Sequence, residues 1–419
     1  MSSQATVIRQ SGWQPAGDGQ LLFDTLLRQQ PPGHSLLQAF YTSPEIYALD
    51  RERFLLRHWH CVGHESQMKA PGDYFLFEID RESVIVIRGR DEKIRGLVNV
   101  CRHRGSRICD KATGHAKGGI LICPYHAWTY RTDGSLRNAR MMPEGFDVSD
   151  HGLRQVAVEV IEGLIFVSLA QKPLGLSQAG EMLRSTVGPF GWAKAKVIHR
   201  ETFMIEANWK LALENQVECY HCGPAHPDFS RVHSQGHPGE EAHTASMWER
   251  AAACGTAIPI RDRWGLNTEP GEEADFCNRY ALWGEAVTGS EDGKPVAPLM
   301  GRISEYDGGF TVFYVGPLNH FLAYGDYGAI FRYTPRSVCG TELHVTWLVR
   351  EDAKEGVDYD VDRVTWLWRV TAGADKKIVE ENQIGVASRY YAPGPYALPI
   401  ESKTLRLTEW YLRELAMDQ

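Results

Sequence analysis

The chain has 419 residues, 43% hydrophobic and 23% charged, with a formal net charge of −8. That length allows two or three domains around a sizeable core, and the acidic balance, with no run of Lys or Arg, excludes nucleic acid and an anionic membrane surface as partners. The amino-terminal stretch has no apolar signal segment and runs such as "LIFVSLA" (164–170) are too short to span a bilayer, so a cytoplasmic protein is expected, its nine cysteines free thiols or metal ligands rather than a disulfide frame.

Residues 1–40 begin polar and Gln-rich, pass through "PPG" and read as an amino-terminal arm. "TSPEIYALDRERFLLRHW" (42–59) has helical spacing in Ile46, Leu49 and Phe54, with Ser43 as cap and Pro44 in the first turn. From residue 73 the period changes: "DYFLFEI", "SVIVIRG" and "IRGLVNV" are short strands between charged turns, and Gly-punctuated strands continue to about Ala170. Residues 41–170 are therefore expected to form an all-β domain. In residues 171–419, "VIHRETFMIEA" reads as a strand and Asn208 caps a helix through "WKLALENQVECY". The Gly/Glu-rich stretch 236–305 shows no assignable period. "FTVFYVGPLNHFLAYGDYGAIFRYTP" and "TELHVTWLVRED" look like antiparallel neighbours, and residues 359–386 and 402–417 look helical. The expectation is an α+β second domain.

Two groups of residues carry chemistry. The first is Cys101-x-His103 followed by Cys123-x2-His126 across a Gly-rich connection. Each arm offers one thiolate and one imidazole, whereas a zinc finger pairs Cys with Cys and His with His. The mixed order suits a Rieske [2Fe–2S] centre, with two Cys on one iron and two His on the other. Cys109 reads as a buried thiol and His115 as a solvent-facing loop residue. The second group lies in "ENQVECYHCGPAHPDF" (214–229). On an unbroken helix His221 and His226 would point about 140° apart; Gly223-Pro224 is expected to end the helix after His221 and let His226 turn back. Two imidazoles need a third ligand for a 2-His-1-carboxylate iron site. Asp375 is the candidate, with Glu380 and Glu381 on the same helix as rivals. Glu218, one helical turn before His221, is better placed as a partner of that imidazole than as a ligand. The Cys219-x2-Cys222 spacing then needs no metal role.

"CRHRG…CPYHAWTY", "NWKLALENQVECYHCGPAHP" and "ADKKIVEENQIGVASRYYAPGPY" together resemble the oxygenase (α) component of Rieske non-haem iron oxygenases over nearly the whole chain. "ECYHC", "EGVDYD" and "YAPGPY" are more narrowly similar to the glycine betaine and stachydrine demethylases. The resemblance implies a Rieske β domain followed by a helix-grip catalytic domain. The implied cofactors are a [2Fe–2S] cluster on Cys101, His103, Cys123 and His126 and a mononuclear Fe(II) on His221, His226 and Asp375. Glu218 matches the carboxylate that bridges the two centres, commonly Asp in the superfamily. The resemblance further implies a head-to-tail homotrimer, a separate NAD(P)H-dependent flavin/iron–sulfur reductase, and O2-dependent N-demethylation of a small quaternary ammonium compound with release of formaldehyde. Such a substrate needs aromatic faces; Phe310, Phe313, Tyr314, Phe321, Tyr324 and Tyr327 in the catalytic sheet, with Tyr390 and Tyr391 after the iron helix, are the candidates, and Tyr314, Phe321 and Tyr324 with Asn319 are the expected pocket. The alternatives are an oxygenase acting on an aromatic or other apolar substrate, and a Rieske electron carrier without a substrate.

Overall fold

The computed structural model describes residues 17–264 and 268–417; the expected arm over residues 1–16 lies outside them. The remainder of that segment is not an arm. Gly17–Gln29 is a helix that buries Phe23 and Leu26 in the same core as Phe40, Ile46 and Leu49. Its apolar stripe is diluted by Gln, Gly and Asp, so bulk polarity conceals it. Ser43 caps Pro44–Asp50, its hydroxyl accepting from the N–H groups of Glu45 and Ile46. A π-helical turn, Arg51–Leu55, then leads into the first sheet.

That sheet has seven strands in the order His60–His64, Leu164–Ser168, Gln155–Ile161, Ile94–Val98, Glu82–Arg88, Asp73–Ile79 and Thr113–His115. A three-stranded sheet, Ile120–Ile122, Thr129–Arg131 and Leu136–Asn138, accompanies it. Ile85, Ile87 and Leu97 of the large sheet pack with Leu121, Tyr130 and Leu136 of the small one, around Cys101 and Cys123.

The second sheet is antiparallel, in the order Ala195–Ile205, Gly340–Arg350, Gly328–Ser337, Asn319–Ala323, Gly309–Val315, Asp275–Ala281 and Arg261–Arg263. The stretch without a readable period supplies its last two strands and the helix Glu240–Cys254. One face shares a core with Val364, Trp368, Ala372 and Val379 of the long helix Val361–Val386 and with Trp410 of Ser402–Ala416. The other face packs Phe313, Phe321 and Ile330 against Met182 and Leu183 of Ser177–Val187. Burial on both faces explains why "GFTVFYV" reads as one continuous apolar run. The whole is the expected α+β arrangement, a β domain followed by a sheet wrapped on a long helix.

The two sheets are joined by buried polar contacts. Glu273 lies 2.8 Å from His58 Nδ1 and accepts from Trp59 N–H at 3.0 Å. Asn319 accepts from Cys61 N–H and donates to Trp59 O, both at 2.7 Å. Among the described residues no helix is long and apolar enough to cross a membrane.

Candidate active site

Two tight loops present Cys101 with His103 and Cys123 with His126. They close alike: Gly105 N–H returns to Cys101 O and Ala127 N–H to Cys123 O, each at 3.0 Å. Gly105 sits at φ 77° and Ala127 at φ 56°; a non-glycine residue there persists only where its surroundings fix it. The sulfurs of Cys101 and Cys123 are buried, and burial together with Cys123 pushes the Cys101 thiol up despite the Tyr130 hydroxyl 3.2 Å away. The imidazoles are exposed, His103 stacks on Trp128, and the two Nδ1 atoms lie 3.2 Å apart. Two buried sulfurs beneath two converging imidazole nitrogens form a donor set that fits a Rieske cluster.

The helix Trp209–Val217 starts as expected, with the Asn208 side chain accepting from Lys210 N–H. It ends early. Glu218 is already extended (φ −122°, ψ 164°), so the break falls there and not at Gly223-Pro224; Cys222–Ala225 is a separate helical turn. The Glu218 carboxylate accepts from the N–H groups of Tyr220 and His221, replacing helical carbonyl partners. Cys219 and Cys222, expected as free thiols, are joined by a disulfide across the same turn. Glu218 is therefore not one helical turn from His221, yet its Oε1 lies 2.5 Å from His221 Nδ1.

The turn brings the His221 and His226 rings to 5.1 Å, at 84° to each other. Asp375, midway along Val361–Val386, places Oδ1 3.3 Å from His221 Nε2 and 2.7 Å from His226 Nε2. One ligand atom from each residue lies within 4.8 Å of the others. Burial alone would lower the His221 imidazole, but the Asp375 and Glu218 carboxylates outweigh it and raise it to about 9. The two imidazoles hold the Asp375 carboxyl low against the opposing effect of burial. Two imidazoles and one carboxylate converging this closely fit a divalent iron with open coordination positions. Glu380 instead accepts from Glu206 N–H at 2.8 Å and pairs with Lys376, and Glu381 is exposed. Five and six residues past Asp375, the helix turns them about 140° and 120° away.

A cavity of about 270 Å³ opens on these three residues, walled by Phe229, Tyr280, Phe310, Tyr314 and Trp368. Of the candidate and expected pocket residues, Phe310 and Tyr314 line it. Phe321 faces the other way: the register pairs Tyr314 with His320 and Phe313 with Phe321, so the pleat sends Phe321 to the far face, stacked on Phe313 at 4.8 Å. Asn319 is engaged at the joint between the sheets. Tyr324 is fully buried behind Phe310, its hydroxyl 2.8 Å from His233 Nε2. The sequence reading missed Phe229, Tyr280 and Trp368. A usable signal existed for two: Trp368 lies two turns before Asp375 on the same helix face, and Phe229 follows His226 by three residues.

Residues 58–158 match the Rieske [2Fe-2S] domain, and residues 192–417 match the ring hydroxylating alpha subunit (catalytic domain). The chain is 35% identical over 395 residues to the glycine betaine monooxygenase oxygenase subunit of Chromohalobacter salexigens, covering 92% of this chain and 87% of that one. It is 34% identical to the subunit of the same description from Pseudomonas aeruginosa, covering 92% and 90%. In fold it is similar to a quaternary ammonium Rieske monooxygenase described for carnitine oxidation and inter-subunit electron transfer, with a TM-score of 0.70 at 24% identity, covering 91% of this chain and 95% of that one. With both domains matched in order and relatives aligned over most of its length, the chain belongs to the Rieske ring-hydroxylating oxygenase α-subunit family, whose cofactors are a [2Fe–2S] cluster and a mononuclear iron.

Proposed function

We propose that the chain is the terminal component for O2-dependent oxidative N-demethylation of a small quaternary ammonium compound, a betaine such as glycine betaine or stachydrine. The observation that carries this reading is the cavity: small, walled by aromatic faces and open on His221, His226 and Asp375. A quaternary ammonium has no N–H to donate, and aromatic faces are what attract it. The naming of both relatives as glycine betaine monooxygenase oxygenase subunits supports the same class. An electron carrier without a substrate is set aside by the match of residues 192–417 to a catalytic domain.

In this reading Cys101, His103, Cys123 and His126 hold the cluster, and His221, His226 and Asp375 hold the mononuclear iron. When bound, the cluster relays single electrons and the mononuclear iron supplies O2 activation. The protein's own residues do the rest. Glu218 holds His221 through Nδ1, which leaves Nε2 toward Asp375. Phe229, Phe310 and Trp368 keep water from the N-methyl group and hold the cation beside the ligand set. One N-methyl group, O2, two electrons and two protons give the N-hydroxymethyl compound and water. That product then collapses to formaldehyde, the tertiary amine and a proton.

Electrons come from a separate NAD(P)H-dependent flavin/iron–sulfur reductase, and dependence on NAD(P)H supports a cytoplasmic location. The exposed His103 and His126, among exposed Val100, Ile122 and Tyr125, support delivery to a neighbouring copy. A head-to-tail homotrimer closes such heterologous contacts into a ring. The test supplies purified protein with a surrogate reductase, NADH and, separately, glycine betaine, stachydrine, carnitine and an aromatic acid. Formaldehyde from a betaine is expected; a hydroxylated aromatic acid with no formaldehyde from any amine would overturn the reading.

A further inference from the structure

We propose that His320 and Lys403 form a carboxylate subsite in the cavity, which selects N-methylated amino-acid zwitterions over quaternary ammonium alcohols. The proposal deepens the demethylase reading and rests on it for the identity of the substrate's cationic end.

His320 is only 4% exposed, lines the cavity, and has no hydrogen-bond partner on either ring nitrogen. Its ring is held between Tyr314, at 4.6 Å, and Phe331, at 5.4 Å, with small interplanar angles of 28° and 29°. It is therefore fixed in position with its polar edge unspent. A buried polar group without a partner is costly, and native proteins rarely leave one unless a ligand or water completes it. Burial first, and Lys403 second, push this imidazole down to about 3. At neutral pH the ring is uncharged, with one N–H to donate.

Lys403 supplies the charge. It lies in the first turn of Ser402–Ala416 and lines the same cavity. Its ammonium rests over Phe276 at 4.5 Å and Tyr280 at 5.1 Å and donates to the Tyr280 hydroxyl at 2.5 Å. Among the described residues no Asp or Glu forms an ion pair with it. The carboxylates on the wall are engaged elsewhere: Glu218 with His221, Asp375 with His226, and Glu240 accepting from Gly236 N–H at 3.0 Å. The cavity thus offers aromatic faces for a cation, and one ammonium with one imidazole N–H for an anion. A betaine carries those two charges on one small skeleton. Choline carries only the cation and would leave His320 and Lys403 without an anion to bind.

The test compares wild type, Lys403→Met and His320→Gln as holoenzymes, each checked for the Rieske visible spectrum and full iron content. Methionine keeps the apolar stem over Phe276 and Tyr280 without the charge. Glycine betaine, choline and acetate are titrated calorimetrically, and formaldehyde is measured with the two amines. Lys403→Met is expected to raise the Kd of glycine betaine and of acetate at least tenfold and leave choline unchanged or tighter; His320→Gln is expected to shift the betaine Kd in the same direction by less. Betaine bound by Lys403→Met as by wild type overturns the subsite, and so does an equal loss of betaine and choline. Wild type that releases formaldehyde equally from both amines also overturns it, with the demethylase reading intact. Wild type that releases none, yet binds acetate in a Lys403-dependent way, overturns the demethylase reading and supports the subsite.

Discussion

Replacing Glu218 by Gln tests the side chain proposed to link the two metal centres. Its Oε1 lies 2.5 Å from His221 Nδ1, a charge-assisted contact on a side chain 11% exposed. Such a bond contributes about 1.5–3 kcal/mol and a neutral one about 0.5–1.5. Glutamine keeps the shape, so the loss at His221 is about 1–1.5 kcal/mol, roughly tenfold in how firmly the imidazole is held. Iron affinity should therefore fall about tenfold, at the mild end of the range for a residue behind a metal ligand. In the proposed head-to-tail trimer the same carboxylate would also accept from a Rieske imidazole of the neighbouring copy, and losing two comparable bonds compounds to about a hundredfold. The expectation is that both metals stay bound at saturating iron and the reductase still reduces the cluster, while transfer to the iron, and demethylation with it, falls about a hundredfold. The assay is a single turnover of pre-reduced protein with O2 and betaine, following Rieske reoxidation and product together. Rapid reoxidation with a normal yield of product in Glu218→Gln would remove this residue from the electron path.

His221→Ala and Asp375→Ala should each lose the mononuclear iron and all turnover but keep the Rieske visible spectrum, whereas Glu380→Ala keeps both; an iron-replete Asp375→Ala would move the third ligand. Lys210→Met should lower stability by about 3–5 kcal/mol, because it strips the cation from a buried Asp50 that also accepts from Trp209 Nε1 at 3.0 Å and from the Tyr411 hydroxyl at 2.7 Å; an unchanged urea midpoint would refute it. Burial raises the Glu214 carboxyl to about 7 from 4.5 despite the Tyr41 hydroxyl donating to it at 2.8 Å. Between those values the folded state binds more protons than the unfolded one, so this group's contribution to stability is present at low pH and falls as pH rises toward 7, by roughly 3 kcal/mol in all. Glu214→Gln should therefore gain on wild type in thermal midpoint between pH 5 and pH 8, and a constant difference across that range would contradict the assignment.

Most of the residues that converge at the two candidate centres were legible because their information is local. Cys-x-His and Cys-x2-His are each set by one tight loop, and His221 and His226 by one turn. Asp375 lies 149 residues beyond His226, and the sequence alone left it in competition with Glu380 and Glu381; the helix rotation that separates them matters only once the helix is docked. The same limit explains the unassigned stretch. Glu240–Cys254 buries only Met247 and Ala251, and Arg261–Arg263 is three charged residues paired to a single neighbouring strand. Neither presents an apolar period to read. The early end of the helix at Glu218 was hidden because its cause is a side chain accepting from the following backbone N–H groups, which competes with helix formation where propensity favours it.

The cavity was the least legible part, for a geometric reason. Every residue of Gly309–Val315 and Asn319–Ala323 is buried, so alternation cannot say which side of the pleat holds the ligand. Tyr314 and Phe321 are equivalent by composition; only the pairing of Tyr314 with His320 places one in the cavity and the other in a packed core. The same pairing makes His320 informative. On the far face a histidine would meet hydrocarbon, and a buried imidazole with no partner would be a plain loss. On the cavity face its unmet hydrogen bonds are open to a ligand in this proposal, and Lys403, brought to the same cavity wall by a helix from the end of the chain, would give it a charge preference. In this reading specificity depends on which strand face meets which helix, while the proposed metal ligands other than Asp375 depend on turns.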